Sequence, residues 1–102
     1  MENSDAFTRY VVHLVTRPEV PRPESLVREH VAFLKDLEAQ DRLDFAGPFH
    51  DGKGGLLILR AASMDEAQAT VAQDPFVIAG SSRAEIRAIQ YSCPENQHLG
   101  MG

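Results

Sequence analysis

The period of the apolar positions changes along this chain, and each change marks an element. From Thr8 to Thr16, the residues Tyr10, Val11, Val12, Leu14 and Val15 form a short β-branched, aliphatic and aromatic run. That run predicts a first strand. Its apolar residues fall on both parities, so both faces of the strand are expected to be covered. Arg17 to Pro23 follows, with prolines at 18, 21 and 23, and reads as an extended loop. From Pro23 to Gln40 the period lengthens. Leu26, Val27, Val31, Phe33, Leu34 and Leu37 recur at spacings of three and four, which makes one apolar helical stripe. Arg28, Glu29, Lys35, Asp36 and Glu38 fill the opposite side. Pro23 suits a first helical turn, and Glu24 complements the helix dipole there.

The second half repeats the alternation. Leu43 to Gly47 predicts a short strand ending at Gly47-Pro48, and His50-Asp51-Gly52-Lys53-Gly54-Gly55 reads as a hairpin turn. These glycines lack the spacing of a phosphate-cradling loop, and no helix follows them. Leu56-Leu57-Ile58-Leu59-Arg60 predicts the most buried strand. Ser63-Met64-Asp65-Glu66 is a capping box, opening a second helix with Ala67, Thr70 and Val71 inward. Asp74-Pro75 ends that helix, because the residue before a proline is pushed out of the helical region. The aspartate is thereby left free to face the first helix rather than its own backbone. Phe76 to Gly80 reads as a single apolar turn, and Ala84 to Tyr91 as a fourth strand. Residues 1–94 thus form one domain, and 95–102 are expected to be a flexible tail.

The order β-α-β-β-α-β is the ferredoxin-like split unit, an α+β fold with an antiparallel sheet. Two helices cover one face of a four-stranded sheet. Strands one and three carry apolar residues on both faces, so a second copy of the same sheet is the expected cover, giving a homodimer around a small cavity.

Composition narrows the function. The chain has 102 residues, 43% of them hydrophobic and 25% charged, as in a soluble globular domain. Its net charge is −5 with scattered basic residues, so nucleic acid and anionic membrane surfaces are not expected partners. No apolar run is long enough to span a membrane. The start, Met1-Glu2-Asn3-Ser4-Asp5, is too acidic and polar for a secretory signal, and the lone Cys93 fits a reducing cytoplasm. His13, His30, His50 and His98 show no metal-ligand spacing, and no dinucleotide fingerprint exists, so neither metal nor cofactor is expected. Spacing alone makes His13 a partly buried strand histidine. It makes His30, four residues from Leu26 and Leu34, a core histidine.

Several short motifs occur in order: Arg28-Glu29-His30-Val31-Ala32-Phe33-Leu34, Ala46-Gly47-Pro48, Gly54-Gly55, Ser63-Met64-Asp65-Glu66-Ala67, and Asp74-Pro75-Phe76 with Gly80. Together they resemble the YciI-like (YCII-related) family over nearly the whole chain. The resemblance implies a dimeric α+β barrel, as in muconolactone isomerases and small cofactor-free monooxygenases. It also implies an active site built on a histidine–aspartate pair, here His30 and Asp74, with Gly47, Pro48 and Phe76 as substrate-binding residues. Some members remove halide from chlorinated aromatic diols. Two positions depart from the family pattern: Asp41 stands where relatives close the first helix with glycine, and Val27 stands where an arginine often precedes the histidine.

An imidazole titrates at about pH 6.5 and is a natural general base. An aspartate on one ring nitrogen fixes the tautomer and stabilises the imidazolium. No serine or cysteine is placed as a nucleophile. The expected chemistry is cofactor-independent proton transfer, an isomerisation or an elimination such as dehalogenation, on a small aromatic or lactone-type substrate. The alternative is a non-catalytic module for a small ligand or a protein partner, in which the pair only ties two helices together.

Overall fold

The computed structural model describes residues 4–102, so Met1 to Asn3, part of the stretch read as too polar for a signal, lie outside the described residues. A 3-10 turn at Ser4–Phe7 leads into β1 (Thr8–Thr16), α1 (Glu24–Ala39), β2 (Leu43–Pro48) and β3 (Gly54–Leu59). Then come α2 (Met64–Val71), the one-turn α3 (Pro75–Ile78) and β4 (Ser82–Gln90). Beyond Cys93, Pro94–Asn96 and Gln97–Gly100 form two further turns, in which the Asn96 side chain donates to the Tyr91 carbonyl at 2.9 Å.

The described strands make one antiparallel sheet in the order β2-β3-β1-β4, the ferredoxin-like arrangement. Register decides which side chains share a face. Val12 stands opposite Leu57 and Tyr10 opposite Leu59, and both pairs face the helices. With Leu14, Leu37, Ala67 and Val71 they form the core. Each valine or leucine among them contributes about 1.5–3 kcal/mol when fully buried.

On the other face, Val11 pairs with Ile58 and His13 with Leu56, all four only partly buried. Phe45 and Ile89 on this side are 59% and 47% exposed. The sheet is therefore apolar on both sides but packed on one.

Element ends differ from the sequence reading by a few residues, each for a local reason. β4 begins at Ser82 rather than Ala84, because pairing with β1 continues to Thr16 opposite Ser82. α2 ends at Val71, since the N–H groups of Gln73 and Asp74 bond three residues back, to Thr70 and Val71, and tighten the last turn. The α1 stripe is split as well. Leu37 is buried and Phe33 and Leu34 pack on the core, but Val27 and Val31 are 37% and 41% exposed. Those two valines border a cavity instead. Among the described residues no helix is long and apolar enough to cross a membrane.

Candidate active site

Pro23 is extended, with φ −66° and ψ 160°, so it caps α1 from outside and the helix starts at Glu24. His30 then lies one turn beyond Leu26 on the inward side, its side chain 13% exposed. Its Nδ1 is 2.8 Å from Oδ1 of Asp74.

Asp74 reaches that position from the other half of the fold. Pro75 occupies the first position of α3, where its missing N–H is no loss, and Asp74 is the N-cap. The carboxylate does not turn away from its own backbone, as the sequence reading expected. Oδ1 accepts the N–H of Phe76 at 2.9 Å and meets His30 with the same atom. Capping and histidine contact are compatible because one carboxylate oxygen has two lone pairs. Asp74 is fully buried, and its Oδ2 has no hydrogen-bond partner among the described residues. Against an ionised carboxylate, which only accepts, Nδ1 of a neutral imidazole would donate and the ring's lone pair would fall on Nε2.

Phe76, 7% exposed, fixes the imidazole plane. The His30 and Phe76 rings are stacked, with centroids 4.0 Å apart and planes at 10°. The Arg22 guanidinium carbon is also 4.0 Å from the Phe76 centroid. Two flat groups so close to one ring centre cannot share a face without overlapping, so the phenyl ring lies between them. Arg22 is held by Nη2, which donates to the Ser81 carbonyl at 2.9 Å and to Ser82 Oγ at 2.8 Å.

A cavity of about 410 Å³ opens beside this stack. Its walls are mainly aliphatic, from Val27, Val31 and Leu34 of α1 and Leu14 and Leu57 of the sheet. Arg22, His30 and Ser82 supply polar groups. Of the residues expected at a site, His30, Gly47, Pro48 and Phe76 line the cavity, and Asp74 stands behind His30 without reaching the wall. The hairpin glycines Gly54 and Gly55 also line it. Gly54 has φ +126°, and a Cβ there would stand 2.2 Å from the Leu14 carbonyl oxygen. A Cβ on Gly55 would be 2.8 Å from the Gly47 carbonyl oxygen.

Arg22 is the residue that sequence reasoning missed. Its one signal was its position between Pro21 and Pro23, in a loop read only as a breaker. His13 is on the opposite face of the sheet, 3.5 Å from Glu85 and edge-on to Phe49 at 5.4 Å between centroids. Cys93 is half-buried past the last strand. Among the described residues no three His, Cys, Asp or Glu side chains are grouped so as to hold a metal ion.

The sheet also carries an ion-pair cluster away from the cavity. Asp44 receives Nε of Arg9 and Nε of Arg60, each at 2.7 Å. Burial pushes its carboxyl up. The bonds and charges of Arg60 and Arg9 together outweigh that and hold it below the ordinary value of 3.8.

Comparison with known proteins agrees with this architecture. A family model described as a YCII-related domain matches residues 8–94. The uncharacterised protein YjpA of Bacillus subtilis strain 168 is 41% identical over 70 residues, which are 65% of this chain and 82% of YjpA. Among solved structures, the fold is similar to 5-chloro-2-hydroxyhydroquinone dehydrochlorinase (TftG) from Burkholderia phenoliruptrix AC1100, in complex with 2,5-dihydroxybenzoquinone. The TM-score is 0.59 at 25% identity, covering 87% of this chain and 99% of TftG.

Proposed function

This chain belongs to the YCII-related domain family, and we propose that it is an enzyme that moves protons with His30 and Asp74, without a cofactor, on a small substrate in the adjoining cavity. The observation that carries this reading is the 2.8 Å contact between Nδ1 of His30 and Oδ1 of Asp74, made by a histidine that lines the cavity. Asp74 fixes the tautomer and stabilises the imidazolium, and Nε2 takes the proton from carbon or oxygen of the substrate. Gly47, Pro48 and Phe76 form part of the substrate's seat.

The reaction classes are isomerisation and elimination. The likeness to TftG, a dehydrochlorinase, supports the second and a ring-sized planar substrate. A cavity of about 410 Å³ falls in the range of small-molecule sites. We further propose that two copies pair through the apolar sheet face, with the cytoplasm as the compartment; Cys93 is free.

The competing reading is a binding module with a structural pair, and it draws on the complete burial of Asp74 and its capping of α3. Thermal-shift screening with aromatic diols, lactones and 2-oxo acids finds ligands, since binding stabilises the folded state. Turnover of the hits by wild type and His30→Ala then separates the readings. A normally folded His30→Ala protein with turnover reduced about 10²–10⁴-fold supports the base. Lost stability with turnover intact makes the pair structural.

A further inference from the structure

We infer that Arg22 is the anion-binding group of this cavity, and that the site takes small, flat acids and phenols carrying one negative oxygen. Arg22 is half-buried and lines a mainly aliphatic cavity. Among the described residues it is in no ion pair. Its two hydrogen bonds both leave from Nη2, toward Ser81 and Ser82. The Nε–H and the Nη1 hydrogens bond to no described residue, which leaves donors of a planar fork for a ligand. Such a fork matches a carboxylate or phenolate oxygen better than a point charge does. A guanidinium among aliphatic walls has lost part of its hydration, so a negative partner gains more there than in water.

The Phe76 ring sets the geometry. It separates Arg22 from His30, so the guanidinium and the imidazole are at most the sum of two 4.0 Å contacts apart. A six-membered ring lying in the cavity beside the edge of Phe76 is long enough, with its substituents, to reach both groups. The chemical step below rests on His30 acting as base, as proposed above; the binding preference does not. Nε2 takes a proton from the α C–H of a β,γ-unsaturated carbonyl, and the C–H electron pair becomes the C=Cα bond of a dienolate. The carbonyl π pair moves onto the oxygen that faces Arg22. The imidazolium then returns the proton to the γ carbon: the oxygen pair re-forms C=O, the C=Cα π pair shifts to Cα=Cβ, and the Cβ=Cγ π pair becomes the new Cγ–H bond. Arg22 stabilises the charge where it develops.

Equilibrium binding of benzoate and of benzamide, its neutral isostere, tests this by calorimetry at about pH 8, where an ordinary imidazole is neutral. Wild type is expected to prefer benzoate by about tenfold or more. Arg22→Met should bring the ratio to about one, and Arg22→Lys should restore part of it. Equal affinities in wild type, no benzoate binding, or a preference that survives in a folded Arg22→Met protein each overturn the assignment. The wild-type comparison stands even if Arg22→Met does not fold, which thermal unfolding reports. A preference for benzoate in a protein that turns over none of the screened compounds supports Arg22 and counts only against His30 as base.

Discussion

One oxygen, Oδ1 of Asp74, binds both Nδ1 of His30, 44 residues earlier in the chain, and the N–H of Phe76, two residues later. The cap of α3 and the orientation of the imidazole therefore depend on the same atom. Asp74→Asn keeps an accepting oxygen, but its NH2 falls where Oδ2 has no partner, at an expected cost of about 1–3 kcal/mol. Asp74→Ala loses the cap and the histidine's partner together, about 2–4 kcal/mol. Urea unfolding measures both. Under the proposed mechanism Asp74→Asn also lowers turnover by about 10²-fold or more, and unchanged turnover would count against it.

Gly54 is expected to be intolerant of any side chain. At φ +126°, with the Leu14 carbonyl oxygen 2.2 Å from the site of a Cβ, Gly54→Ala both strains the backbone and forces β1 away from β3. The expected loss is more than about 2 kcal/mol. Because Gly54 and Gly55 line the cavity, benzoate binding should weaken along with stability. Gly52→Ala is the control: it also has positive φ, at 74°, but open space around it, so the expected loss is smaller.

Asp44 supplies a pH-dependent part of the stability. Its folded carboxyl titrates below the ordinary range, so the folded protein releases this proton more readily than the unfolded chain does. The contribution is complete above the ordinary carboxylate value and disappears as pH falls through the folded one. Asp44→Asn should lower stability by about 1 kcal/mol at pH 7, with the difference from wild type shrinking toward zero in acid. Denaturant midpoints at pH 7, 5 and 3 read this directly. A difference independent of pH would show that the packing of the side chain, not its charge, matters.

The proposed dimer has a simple test. Phe45 and Ile89 are 59% and 47% exposed, so in a monomer Phe45→Lys or Ile89→Glu should change stability by no more than about 0.5 kcal/mol. If two sheets face each other, the same substitutions bury a charge. Light scattering at micromolar concentration should then move from twice the chain mass toward one. A monomeric wild type removes the proposal.

Much of this architecture was legible because its signals are local. The alternation between strand and helix periods placed β1, α1, β3 and α2, and Ser63 caps α2 as its capping box implied, accepting from Glu66 N–H at 3.1 Å. The family motifs named His30 and Asp74, which no spacing could have joined. What remained hidden depends on long-range register. Arg22 has no periodic neighbours, and its partner Ser81 is 59 residues away. The Arg9–Asp44–Arg60 cluster needs an irregularity between Leu43 and Phe45 in β2 that no residue type announces. The stripe on α1 was seen as one surface, whereas the fold uses Leu37 for the core and Val27 with Val31 for the cavity.

The loop Pro21-Arg22-Pro23 has a consequence for the unfolded chain as well as the folded one. Pro21 locks its own φ, and Pro23 restricts Arg22 to extended backbone. The segment that carries the guanidinium therefore wanders little before folding and has little freedom to lose when it meets Phe76 and Ser81. Replacing both prolines by alanine leaves every described contact of the Arg22 side chain possible, yet lets the segment sample helical and turn conformations. The cation would then be present at the cavity for only part of the time, and the apparent affinity for an anion would fall by that fraction.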